Sequence, residues 1–138
     1  MKIIFGYYED RDFGLTEYSE IEFSPTDTRE KIEKKSKYKR YLLTAIMEDF
    51  PYIEILSDFY DKIKDFENGK RDELFWDGQA FQHKITKEKV VFINTIFGVC
   101  EEYPIWHCKF KEYVKTLKSW KEFLELPIKI QTKIELEV

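Results

Sequence analysis

The sequence predicts an α+β fold. The expected architecture is a mainly antiparallel sheet of about five to six strands, with three to four helices packed on it, in a single domain over residues 1–138. Three observations carry this reading. The hydrophobic period changes from two residues to 3.6 and back along the chain. The connections between strand-like segments are short and rich in turn residues, which suits antiparallel neighbours. No linker, repeat or second core divides the 138 residues, a length that fits one ordinary domain.

The elements follow in order. Residues 1–8 and 17–23 read as strands joined through Glu9-Asp10-Arg11-Asp12-Phe13-Gly14, a hairpin. Ser24-Pro25-Thr26-Asp27 ends the second strand and offers caps for a helix from Thr28. Leu42, Leu43, Ile46, Met47 and Phe50 share one helical face, and Pro51 interrupts it. Ile55, Leu56, Phe59, Tyr60, Ile63 and Phe66 form a second stripe, closed by Asn68-Gly69.

A strand at Leu74-Phe75-Trp76 leads into Asp77-Gly78, a hairpin signal that places Trp76 near the tip. Phe81, His83 and Ile85 then share a strand face. Val90–Phe97, apolar on both faces, predicts a central covered strand ended by Gly98. Residues 99–108 read as a loop with a short strand at Ile105–Cys108. Phe110, Tyr113, Val114, Leu117, Trp120, Phe123 and Leu124 predict a helix over 109–125, stopped by Pro127. The tail from Ile128 to Val138 alternates as a one-sided strand.

Composition narrows the function. No run approaches the roughly 20 apolar residues of a membrane span. The N-terminus lacks the longer apolar core of a signal peptide. A cytoplasmic location and reduced Cys100 and Cys108 are therefore expected. The chain carries 27 acidic and 23 basic residues, a net charge of −4. That balance is segregated: residues 1–28 carry −5, residues 29–40 carry +5, residues 41–68 carry −5, and the remainder +1. Charge blocks of this kind bear on partners rather than on fold.

Catalytic signatures are weak. Cys100, His107 and Cys108 lack the paired spacing of a structural zinc site, and adjacent strand residues point to opposite faces. Nothing local marks either thiol as an activated nucleophile. There is no Gly-x-Ser-x-Gly elbow, P-loop or dinucleotide fingerprint. No cofactor, no metal and no catalytic residue is predicted. Arg29–Arg40 suits phosphate contact, with Tyr38 and Tyr41 as stacking residues, but its acidic flanks oppose a phosphate backbone.

The acidic stripe is the more specific feature. At about 100° per residue, Glu54, Asp58, Asp61 and Asp65 lie within roughly 80° on the face opposite the apolar stripe. Like charges at these spacings cost a helix some tenths of a kcal/mol per pair. They suit a basic partner, whose association they accelerate. The hairpin acids Glu9, Asp10, Asp12 and Glu17 are candidates to extend this surface. Tyr and Trp dominate interface hot spots, and Tyr7, Tyr8, Tyr18, Trp76, Tyr103 and Trp106 lie outside the clear core stripes.

The segment from about residue 70 onward resembles small bacterial immunity proteins of polymorphic-toxin and contact-dependent growth inhibition systems. The resemblance rests on the hairpin at Phe75-Trp76-Asp77-Gly78, the strand Val90–Phe97, and the helix with Phe110-Lys111, Leu117, Trp120 and Phe123-Leu124. It implies a cytosolic protein that binds and blocks one toxin domain, often a nuclease, and carries over no functional residues. The predicted function is therefore toxin neutralisation without chemistry. Glu54, Asp58, Asp61, Asp65, Glu9, Asp10, Asp12 and Trp76 are the candidate contacts to a basic toxin domain. Two alternatives stand beside it: a small cytosolic enzyme using His83, His107, a cysteine or carboxylate chemistry, and a nucleic-acid-binding regulatory module using Arg29–Arg40.

Overall fold

The computed structural model describes all residues 1–138. Its class is α+β, with every strand pairing antiparallel, but seven strands divide into two sheets. The first sheet has the order β2-β1-β7, built from β1 (Lys2–Asp10), β2 (Gly14–Ile21) and β7 (Lys133–Glu137). The second is a meander of β3 (Leu74–Asp77), β4 (Phe81–Ile85), β5 (Lys89–Asn94) and β6 (Trp106–Lys109).

Three helical bodies complete the chain. The first is α1 (Arg29–Lys37), which runs through a wide π-type turn at Tyr38–Leu43 into α2 (Thr44–Asp49). The second is α3 (Ile53–Glu67) and the third α4 (Phe110–Glu125). The Thr28 hydroxyl caps α1 by accepting from Lys31 N at 3.2 Å. Pro51 separates α2 from α3, as its missing N–H requires.

α4 is the keel between the sheets. Its stripe buries Tyr113, Val114, Leu117, Trp120 and Phe123. Trp120 and Phe123 meet the first sheet: Trp120 lies 5.1 Å from Phe5, and Phe123 lies 4.8 Å from Tyr7. Tyr113 meets the second sheet at Phe92, 6.0 Å away. Trp120 donates its indole N–H to Phe50 O at 2.8 Å, so the buried ring leaves no polar atom unpaired. The core is one contiguous cluster.

Three expectations shift. β5 ends at Asn94, not Phe97, because the Asn94 side chain accepts from Ile96 N and Phe97 N at 3.0 and 2.8 Å and turns the chain away. Val91 and Ile93 are only half-buried, so β5 is covered mainly on one face. β7 starts at Lys133, not Ile128: it pairs with Lys2–Gly6 of β1, and a turn closed by Thr132 N on Lys129 O at 3.0 Å bends the chain ahead of it. Before it, Thr132 folds back with its hydroxyl on Pro127 O at 2.6 Å. Third, Tyr38 and Tyr41 are core residues rather than stacking surfaces. Their hydroxyls donate to Glu112 at 2.8 Å and to Pro104 O at 2.7 Å.

Candidate protein-binding face

α3 is amphipathic in the way its stripe requires. Leu56, Phe59, Ile63 and Phe66 are buried. Phe59 stacks on Phe50 at 4.6 Å, and Phe66 meets Phe110 of α4 edge-on at 5.3 Å. Burying one such side chain contributes about 1.5–3 kcal/mol, so four anchors hold the helix as a rigid platform. On the outer side Glu54, Asp58 and Asp61 are exposed. Glu54 also sits in the first turn, where the helix dipole favours a carboxylate.

Asp65 differs from the other three. It is half-buried, and its carboxylate pairs with Lys70 at 3.3 Å. Lys62 approaches Asp58 only to 3.9 Å. The ridge therefore presents three outward carboxylates, with the fourth engaged within the chain.

Trp76 does not project from a hairpin tip. The β3–β4 connection is the loop Gly78-Gln79-Ala80, and Trp76 packs from β3 onto the flank of α3. Its ring lies 4.9 Å from Phe59 and 5.5 Å from Phe50, with Lys62 Nζ above it at 5.3 Å. The indole N–H is buried without an acceptor. Trp76 thus buttresses the acidic helix and stays partly exposed beside it.

The hairpin acids share no hydrogen bond or ion pair with α3. β1 packs on α4 through Phe5 and Tyr7, whereas α3 packs on α4 through Phe66 and Phe59. Glu9 and Asp12 are exposed at the β1–β2 turn. Asp10 builds that turn, accepting from Asp12 N at 2.9 Å and Phe13 N at 3.1 Å. These two backbone donors hold its carboxyl below the usual value. Among the aromatic candidates, Tyr8 is exposed, Tyr7 is buried, and Tyr18, Tyr103 and Trp106 are half-buried.

The histidines and cysteines separate into different environments. His107 is exposed on β6 while the adjacent Cys108 faces the core. Burial, followed by the Glu112 charge, pushes the Cys108 thiol upward and keeps it protonated. No group of three or more His, Cys, Asp or Glu side chains is disposed to hold a metal ion.

His83 belongs to a closed polar network that sequence reasoning did not find. Asp49, the last residue of α2, lies at the unfavourable end of the helix dipole but receives three donors. Ala80 N donates to Oδ1 at 2.7 Å, Phe81 N to Oδ2 at 3.2 Å, and His83 Nε2 to Oδ2 at 2.7 Å. His83 Nδ1 lies 2.8 Å from the Tyr113 hydroxyl, and in a neutral ring whose Nε2–H faces the carboxylate it accepts from that hydroxyl. The Asp49 and His83 side chains are both 0% exposed. Gly78 closes the lid: a Cβ there would stand 2.1 Å from Asp49 Cγ. The arrangement is a clamp joining α2, β4 and α4 to the β3–β4 loop. Nothing in the run Met47-Glu48-Asp49-Phe50 announces it, because its partners lie 31 to 64 residues away in sequence.

A second exposed feature lies after β5. Ile96 is 75% exposed and Phe97 62% exposed. Val99 and Ile105 also face solvent. Phe97 stacks on Tyr103 at 6.0 Å, and the Arg40 guanidinium lies 4.2 Å over the same Tyr103 ring. The hydrophobic run Val90–Phe97 disguised this loop as strand.

No protein-family model, curated protein or solved structure significantly matches the chain. No helix is long and apolar enough to cross a membrane.

Proposed function

We propose that this protein is an immunity protein that binds and neutralises a cognate toxin domain, with the acidic face of α3 as the contact. The observation that carries the reading is the row of exposed carboxylates Glu54, Asp58 and Asp61 on a helix anchored by four buried side chains. Three like charges on successive turns weaken the isolated helix. A basic partner converts that cost into attraction and faster encounter. A nuclease toxin suits the role, because its phosphate-binding groove is basic and carboxylates occupy it in place of phosphate.

The mode of action is binding in the cytoplasm of the producing bacterium, without cofactor or chemistry. The enclosure of His83 supports this over the histidine-enzyme alternative, since its ring is out of solvent and both ring nitrogens are engaged. Trp76 lies beside the acidic row and is the aromatic neighbour of the contact.

Isolating the stoichiometric partner from the native host and co-expressing the protein with that partner's toxic domain tests the proposal. The wild-type protein is expected to restore growth and to co-purify with the toxin in stoichiometric amount. The E54K/D58K/D61K variant is expected to lose both. Failure of the wild type to protect, or full protection by the variant, overturns the assignment.

A further inference from the structure

A basic surface assembles on the side of the molecule where the chain ends meet. Lys31 and Lys34 of α1 line a shallow cleft that includes Val138. Lys109, Lys111 and Lys115 line the next cleft, which shares Val138. Lys111 and Lys115 also line a third, joined there by Lys118. The clefts overlap through shared walls, so these six lysines form one band across α1, the end of β6 and α4. All six are exposed. None has a carboxylate within ion-pairing distance; every ion pair of the chain involves other cations.

Most acids within the band are already committed. Glu112 accepts from the Tyr38 hydroxyl at 2.8 Å and from Lys109 N at 3.0 Å. Glu137 pairs with the Met1 amine at 3.3 Å. Asp27 pairs with Lys35 at 2.6 Å and accepts from Ser24 N at 2.9 Å. Val138 O accepts from the Met1 amine at 2.7 Å. Glu67, and Glu122 in the cleft that Lys118 shares with Tyr60, are the carboxylates at the margins of the band without an ion pair. The positive charge of the band therefore remains available to a ligand.

The spacing within α4 suits a repeating anion. Lys111, Lys115 and Lys118 fall at i, i+4 and i+7 on one face, a rise of about 10 Å at 1.5 Å per residue. A nucleic-acid strand advances about 3.4 Å per phosphate. The three α4 lysines thus span about three phosphate steps, the length of about four consecutive phosphates on one strand.

We propose that this band binds the phosphodiester backbone of nucleic acid without reading its sequence. The contact is electrostatic, since Tyr38 and Tyr41 are buried and supply no stacking platform. Affinity accordingly comes from counterion release. Glu54, Asp58 and Asp61 line none of these clefts, so different substitutions test this proposal and the immunity reading.

Fluorescence anisotropy of a labelled 20-nucleotide oligo-dT, titrated with the full protein at several salt concentrations, is the test. Six phosphate contacts predict a slope of log K against log salt of about −4 for a single strand. The K111A/K115A/K118A variant is expected to flatten that slope by about 2 and to weaken binding at every salt concentration. An R11A/K129A control, altered at the far end of β1 from the band and in the loop before β7, is expected to bind as the wild type. No binding at about 50 mM salt and 100 μM protein overturns the proposal, 100 μM being the weak end of non-specific affinity. So does binding that the triple substitution leaves unchanged. Binding to phosphatidylserine vesicles without binding to the oligonucleotide also overturns it, and assigns the band to a lipid surface.

Discussion

Replacing Asp49 by alanine removes the acceptor for Ala80 N, Phe81 N and His83 Nε2 at once. Each is a hydrogen bond to a carboxylate, worth about 1.5–3 kcal/mol in such a setting. Each donor left unpaired in the interior costs about 1–3 kcal/mol. These figures overlap, and the three donors share one acceptor, so a total of about 4–6 kcal/mol is expected rather than their sum. That rivals the whole stability of an ordinary domain, about 5–15 kcal/mol. Asp49→Asn should cost less, about 1–3 kcal/mol. The amide oxygen still accepts from Ala80 N, and His83 can change tautomer to accept from the new NH₂ group; Phe81 N is then opposed, and the Tyr113 hydroxyl accepts from Nδ1–H and loses the acceptor for its own proton. Equilibrium urea unfolding reads both values. A D49A variant within about 1 kcal/mol of wild type, or a D49N variant less stable than D49A, would refute the clamp.

The remaining predictions concern the same core and its titrating groups. Gly78→Ala places a Cβ against the Asp49 carboxylate and should destabilise by about 1–3 kcal/mol; that penalty should shrink in the D49A background, and an unchanged penalty in the double-mutant cycle would contradict the contact. In the native protein a thiol reagent should modify half-exposed Cys100 readily and buried Cys108 only on unfolding; equal rates would be inconsistent with the fold. Stability should fall as pH drops through 3.8 and below. Lys35, then Ser24 N, hold the Asp27 carboxyl below 3.8, so its contribution is full above the unfolded value and lost on protonation. D27N should flatten this limb of the curve. Stability should also fall as pH rises above about 9. Burial raises the Cys108 thiol and the Tyr113 hydroxyl, so the unfolded chain ionises first and is favoured in alkali. A urea midpoint that is flat from about pH 8 to 10.5 would contradict that burial.

Much of the fold was legible because its signals are local. The stripes of α3 and α4 fixed which face of each helix is buried, and Phe81, His83 and Ile85 do share the inner face of β4. The failures have physical causes. In Val90–Phe97 hydrophobicity and strand pairing part company, because a single Asn94 side chain turns the backbone at a point where periodicity sees continuous apolar sequence. At Asp77-Gly78 the glycine serves space rather than turn conformation: its φ is not positive, and its hydrogen meets Asp49. The face of α3 was readable up to its ion pairs. Whether Asp65 is free depends on Lys70, which lies beyond the helix end and reaches back. The lysine band was readable only as the helical spacing of Lys111, Lys115 and Lys118. It joins residues 31 and 34 to residues 109–118, and the near-neutral sum of the second half hid its charge.

If the carboxylates of α3 meet a basic toxin domain, the E54K/D58K/D61K variant must bind that domain more weakly than the wild type. Surface-plasmon resonance at two salt concentrations separates association from dissociation. An affinity loss of at least tenfold is expected, seen first in a slower association rate, with a weaker salt dependence than the wild type shows. Affinity within about 0.5 kcal/mol of wild type, with unchanged salt dependence, would contradict it and move the interface elsewhere on the molecule.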